Sequence, residues 1–82
     1  MRKDENMNKS RRKALSGIID RLDALRCELE TVRDEEQEAY DNLPESFQES
    51  DRGDAMVEGI QAMEDVLDSL EEAIGSLEEL TE

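Results

Sequence analysis

Twenty-four carboxylates, one thiol and no histidine set the chemistry open to this 82-residue sequence. The carboxylates crowd into Asp34-Glu35-Glu36-Gln37-Glu38, Glu64-Asp65, Glu71-Glu72 and Glu78-Glu79. Dinuclear metal centres in helical bundles combine such carboxylates with Glu-x-x-His pairs that project inward, and here the histidine is missing. Asp51-Arg52-Gly53-Asp54 lacks the alternating oxygen ligands and the closing glutamate of an EF-hand loop. Divalent cations would be held only loosely by such a surface, and neither a metal nor a cofactor is expected. Cys27, Ser and Thr have no histidine to take a proton from them. The four glycines stand apart from one another and build no phosphate-binding loop. The chain is not expected to be an enzyme.

Charge says more about its partners. The formal net charge of −14 divides into +4 over residues 1–13, −8 over residues 14–52 and −10 over residues 53–82. No Lys, Arg or His follows Arg52. The basic residues at the start include Lys9, Arg11, Arg12 and Lys13, which suit weak contact with phosphate backbones. They lack interleaved aromatic residues and are tethered to a strongly acidic body, so residues 1–13 read as a flexible, solubilising leader. The acidic body repels nucleic acid and favours a basic protein as partner. A single cysteine rules out an internal disulfide, and no apolar run approaches the length of a membrane span. The expected location is the cytoplasm of a bacterium or of a phage's host cell.

The elements that position these charges follow from apolar spacing. Leu15, Leu22, Leu29, Glu36 and Leu43 form an a series, and Ile18, Leu25, Val32 and Ala39 a d series, which predicts a helix over about 10–42. Pro44 ends it, because proline disfavours helical backbone in the residue before it. A connector over 43–50 is expected to hold at most one helical turn, with Phe47 folding back to plug the open end of the helix pair. Ser50 or Asp51 caps a second helix over about 51–80, whose seam is Met56, Ile60, Met63, Leu67, Leu70, Ile74 and Leu77. With almost no aromatic residues, the chain reads as all-α: an antiparallel two-helix coiled-coil hairpin over residues 14–82. The matching register layers Ala39 on Ile60, Val32 on Leu67 and Leu25 on Ile74. It also sets Arg33 near Glu64, Arg26 near Glu71 and Tyr40 beside Val57. Gly17 reads as a place where another element approaches closely.

A second stripe on the second helix, Gly59, Ala62, Val66, Ser69 and Ala73, offers more small and apolar surface than one partner helix needs. A chain this short has a marginal core. The hairpin is therefore expected to form a homodimer through that stripe, as a four-helix bundle.

Residues 42–53, Asn-Leu-Pro-Glu-Ser-Phe-Gln-Glu-Ser-Asp-Arg-Gly, precede Met-Glu-Asp and Leu-Glu-Glu repeats. This stretch resembles small acidic helical proteins encoded in phages and integrative elements of Gram-positive bacteria, over about residues 33–80. The resemblance implies a mobile-element setting and carries over no functional residue. Within that setting, the expected function is occupation of a basic, nucleic-acid-binding protein. Asp54, Glu58, Asp65, Asp68, Glu72 and Glu79 would stand in for phosphates, because residues four apart on a helix are spaced about 6 Å along its axis, close to the phosphate repeat. The alternative is a self-assembling scaffold module whose charge confers solubility.

Overall fold

The computed structural model describes residues 8–82, and over these the chain is all-α. Helix α1 runs Lys9–Asp41, the single turn α2 runs Glu45–Gln48 and α3 runs Asp51–Thr81. At the start of α1, Asn8 is extended and its Oδ1 accepts the Arg11 N–H at 2.8 Å, satisfying one of the open donors of a helix terminus. Lys9, Arg11, Arg12 and Lys13 are thus helical and belong to α1, not to a flexible leader. Residues 1–7 of that expected leader lie outside the described residues. The last turn of α1 closes when the Asn42 N–H donates to the Glu38 carbonyl at 3.0 Å, two residues ahead of Pro44.

The connector is a built corner. The Pro44 carbonyl accepts from the N–H groups of Phe47 and Gln48 at 2.9 and 3.1 Å, which makes the turn α2. Ser50 then caps α3: its Oγ accepts the Gly53 N–H at 3.4 Å, and its hydroxyl donates to the Phe47 carbonyl. Gly53 is buried in this corner, where a Cβ would lie 2.6 Å from the Gln48 carbonyl carbon. The glycine is there because the backbone of α2 passes too close for any side chain. Phe47 does not fold back over the helix pair; it is 52% exposed. Gln48 makes the connection instead, its Nε2 donating to the Tyr40 carbonyl at 2.9 Å. The Tyr40 carbonyl also accepts the Leu43 N–H at 3.0 Å, so Gln48 adds a second donor that ties the connector to the end of α1.

Each long helix is about 50 Å in length at 1.5 Å per residue, while the molecule measures 60 × 19 × 13 Å. The two therefore lie side by side. Arg33 reaches Glu64 at 3.5 Å, and Tyr40 lines one cavity with Val57. Partner numbers fall along α3 as they rise along α1, from Glu64 opposite Arg33 to Val57 opposite Tyr40. The radius of gyration is 18.5 Å, against about 12 Å for a compact chain of this length.

The buried apolar side chains are Ile60, Leu67 and Ile74, all from α3; α1 buries none. The half-buried row of α1 runs Leu15, Ile19, Leu22, Arg26, Leu29, Arg33, Glu36 and Tyr40, and Leu43 continues it just past the helix end. That row combines the a series with the position four residues on, not with the d series. Leu25 and Val32 are 54% and 51% exposed, so the expected layers Leu25–Ile74 and Val32–Leu67 do not form. Compared with the expected seam, α1 is turned by roughly 50° about its axis. The side chains that gain the inner position explain the turn. Arg26 and Arg33 are only 22% and 26% exposed, laying their aliphatic stems along the seam with their charged heads outside, and Tyr40 joins Val57. Gly17 admits no close approach: nothing lies within 4 Å of a Cβ built there.

Candidate partner-binding surface

All six acids of the expected edge are exposed along α3: Asp54, Glu58, Asp65, Asp68, Glu72 and Glu79. Glu58, Asp65, Glu72 and Glu79 recur every seven residues, about 10.5 Å apart on the face turned away from α1. Asp54 and Asp68 stand one row nearer the seam. Asp68 divides the step from Asp65 to Glu72 into shorter ones of about 4.5 and 6 Å. Among the described residues, Asp54, Glu58, Asp65, Asp68 and Glu72 make no ion pair. This row was legible because heptad position alone turns it outward.

The flank between the helices was less legible. An open groove of about 300 Å³ is lined by Glu30, Arg33, Glu64, Leu67, Asp68 and Glu71. Arg33 crosses it, its Nη1 reaching Glu64 Oε2 at 3.5 Å while its Nε donates to Asp34 Oδ1 at 2.8 Å. Arg26 does not reach Glu71. It turns to its own helix, contacting Asp23 at 2.9 Å and Glu30 at 3.2 Å. Carboxylates three or four residues away lie closer than any across the seam. Glu71 is consequently left without an ion pair among the described residues, and the acidic surface extends from the outer row of α3 to the groove. The signal that could have shown this is the spacing of Asp23 and Glu30 around Arg26.

Hydrogen bonding to Asp23 raises Arg26 above its ordinary pKa, and hydrogen bonding to Asp34 does the same for Arg33. A raised basic group keeps its stabilising effect below its unfolded value and loses it only as pH climbs through the folded one. Both contacts therefore hold across the neutral range. Cys27 is exposed, with Sγ 3.8 Å from Arg26 Nη2. Among the described residues no group of three or more His, Cys, Asp or Glu is placed to hold a metal ion.

On the remaining flank, Ala62, Val66, Ser69 and Ala73 of the expected self-association stripe are exposed and Gly59 is half-buried. Ser69 Oγ is occupied within α3, donating to the Asp65 carbonyl at 3.1 Å. The residues that sequence reasoning missed here are on α1, where Ile18, Leu25 and Val32 stand in solvent. Among the described residues no helix is long and apolar enough to cross a membrane. No protein-family model, curated protein or solved structure matches the chain.

Proposed function

We propose that the chain is a non-enzymatic interaction protein, an antiparallel helical hairpin whose acidic edge occupies the basic surface of a nucleic-acid-binding protein. The observation that supports this reading is the run Glu58, Asp65, Asp68 and Glu72. These four carboxylates are exposed over about 21 Å of one helix and have no ion pair among the described residues. Glu71 widens that run toward the groove. In the phage or integrative-element setting implied by the resemblance, the partner is a cytoplasmic host or element-encoded protein, such as a nuclease, repressor or polymerase subunit. The chain inhibits or regulates it as a DNA mimic.

Reversing Glu58, Asp65 and Glu72 to Lys tests the edge. Affinity for the partner captured from a bacterial host lysate falls at least ~100-fold, with helicity by circular dichroism unchanged. The wild-type complex weakens steeply with salt and is displaced by duplex DNA, as screened phosphate-like contacts require. Binding that survives the triple reversal rules the edge out.

A second reading is favoured by the exposure of Leu25, Val32 and Val66. The hairpin is a self-assembling structural module that pairs with a second copy into a four-helix bundle. The two readings are compatible, since the acidic row and the exposed apolar residues occupy different sides of the molecule.

A further inference from the structure

Ile18, Leu25 and Val32 of α1 are 37%, 54% and 51% exposed, and Val66 and Leu80 of α3 are 50% and 42% exposed. The register that joins Arg33 to Glu64 sets Val32 level with Val66, Leu25 with Ala73 and Ile18 with Leu80. Both sets lie on one flank. Each α1 residue precedes by one a member of the inner row (Ile19, Arg26, Arg33) and is turned about 100° from it. Val66 and Ala73 follow Glu64 and Glu71 by two, which carries them about 160° round from the ion-paired flank. The α3 side of this flank is uncharged throughout: Gly59, Ala62, Val66, Ser69, Ala73 and Ser76. The result is an apolar strip of three layers, about 21 Å long from Ile18 to Val32.

We infer that this strip is covered by a second copy of the chain. The contact is isologous and two-fold, with Leu25 against Leu25 of the second copy and Ile18 against its Val32. The inference rests on the self-assembly reading and specifies its surface.

Area and charge both select a second copy. The chain exposes 6107 Å², against about 5,000 Å² for a compact protein of its mass. The excess belongs to the rod as a whole, and it leaves room for the ~800 Å² each partner contributes to a standard interface. Two chains of net charge −14 approach with least repulsion on the flank that holds fewest acids, and this is that flank. A two-fold axis at Leu25 also sets Arg21 nearly level with Glu28 of the second copy, and Glu28 with its Arg21. Among the described residues Arg21 is exposed and makes no ion pair within its own chain, so the symmetric contact supplies it with a partner twice over.

Analytical ultracentrifugation of the full chain from low to high micromolar concentration tests the contact. The wild type sediments as two chains. Leu25→Glu is monomeric with unchanged helicity, because Leu25 is already half exposed in the single chain. Arg21→Glu raises the dimer dissociation constant ~10-fold, and adding Glu28→Arg restores it. On a Cys27→Ser background, Leu25→Cys is cross-linked to a covalent dimer by mild oxidation, whereas Ile18→Cys alone is not. A wild-type chain that stays monomeric at high concentration overturns both this contact and the self-assembly reading. A dimer that survives Leu25→Glu but is lost in Ala62→Glu overturns this contact alone, moving self-association to the small-residue stripe.

Discussion

Gly53 has the tightest surroundings of the four glycines. It stands in the first turn of α3, where a glycine's entropic cost alone would be small. The corner gives it a different role, since a Cβ would meet the Gln48 carbonyl carbon at 2.6 Å, in backbone that cannot swing aside. Gly53→Ala is expected to destabilise the fold by about 1–3 kcal/mol, the usual range for forcing atoms into filled space. Gly75→Ala serves as its control, because nothing lies within 4 Å of a Cβ there. It is expected to stabilise α3 by about 0.5–1 kcal/mol through better helix propensity. Thermal unfolding at fixed protein concentration measures both, and equal effects of the same sign would show that the corner is not tightly packed. Arg26 teaches a related lesson. Its partner across the seam was read from register, but Asp23 and Glu30 are nearer along its own helix, and proximity decides.

At the scale of elements, the boundaries of both long helices were legible. Capping by Ser50 and termination before Pro44 are local chemistry, and the structure places them within a residue or two of expectation. The rotation of α1 was not legible. Two apolar rows flank the a series of α1, one made of Ile18, Leu25 and Val32 and the other of Ile19 with the Arg26 and Arg33 stems and Tyr40. Hydrophobicity alone prefers the first. The structure prefers the second because long amphipathic side chains bury their stems and still reach solvent or Glu64. This division makes a sharp prediction. Leu67→Ala, at a site 6% exposed, is expected to cost about 2–5 kcal/mol at any protein concentration. Leu25→Ala is expected to cost under ~1 kcal/mol in dilute solution, where the chain is single, and more at high concentration. Chemical denaturation at two concentrations separates them. A concentration-independent loss of several kcal/mol at Leu25 would return that residue to the intramolecular seam.

For the molecule as a whole, shape and charge pull against each other. A rod of 60 × 19 × 13 Å spreads its carboxylates over much surface, which limits their repulsion, and it also leaves apolar residues uncovered. Repulsion within a chain of net charge −14 should outweigh the attraction of the Arg33–Glu64 pair, whose charged heads lie in solvent. Added sodium chloride is accordingly expected to raise the melting temperature by several degrees, at ~4–8 °C per kcal/mol for a domain of this size. A fall with salt would mean that the ion pairs, along α1 and between Arg33 and Glu64, dominate. The sequence by itself determined the all-helical character, the helix ends and the outward face of Glu58, Asp65 and Glu72, because these depend on local propensity and on a 3.6-residue period that needs no partner. Only the tertiary structure decided which way α1 faces, that Gly53 is a contact point, that Glu71 has no ion pair among the described residues and that Leu25 and Val32 stand in solvent. Each of these depends on distances between residues far apart in the chain, where several side chains compete for one position and the winner is set by reach as well as by hydrophobicity.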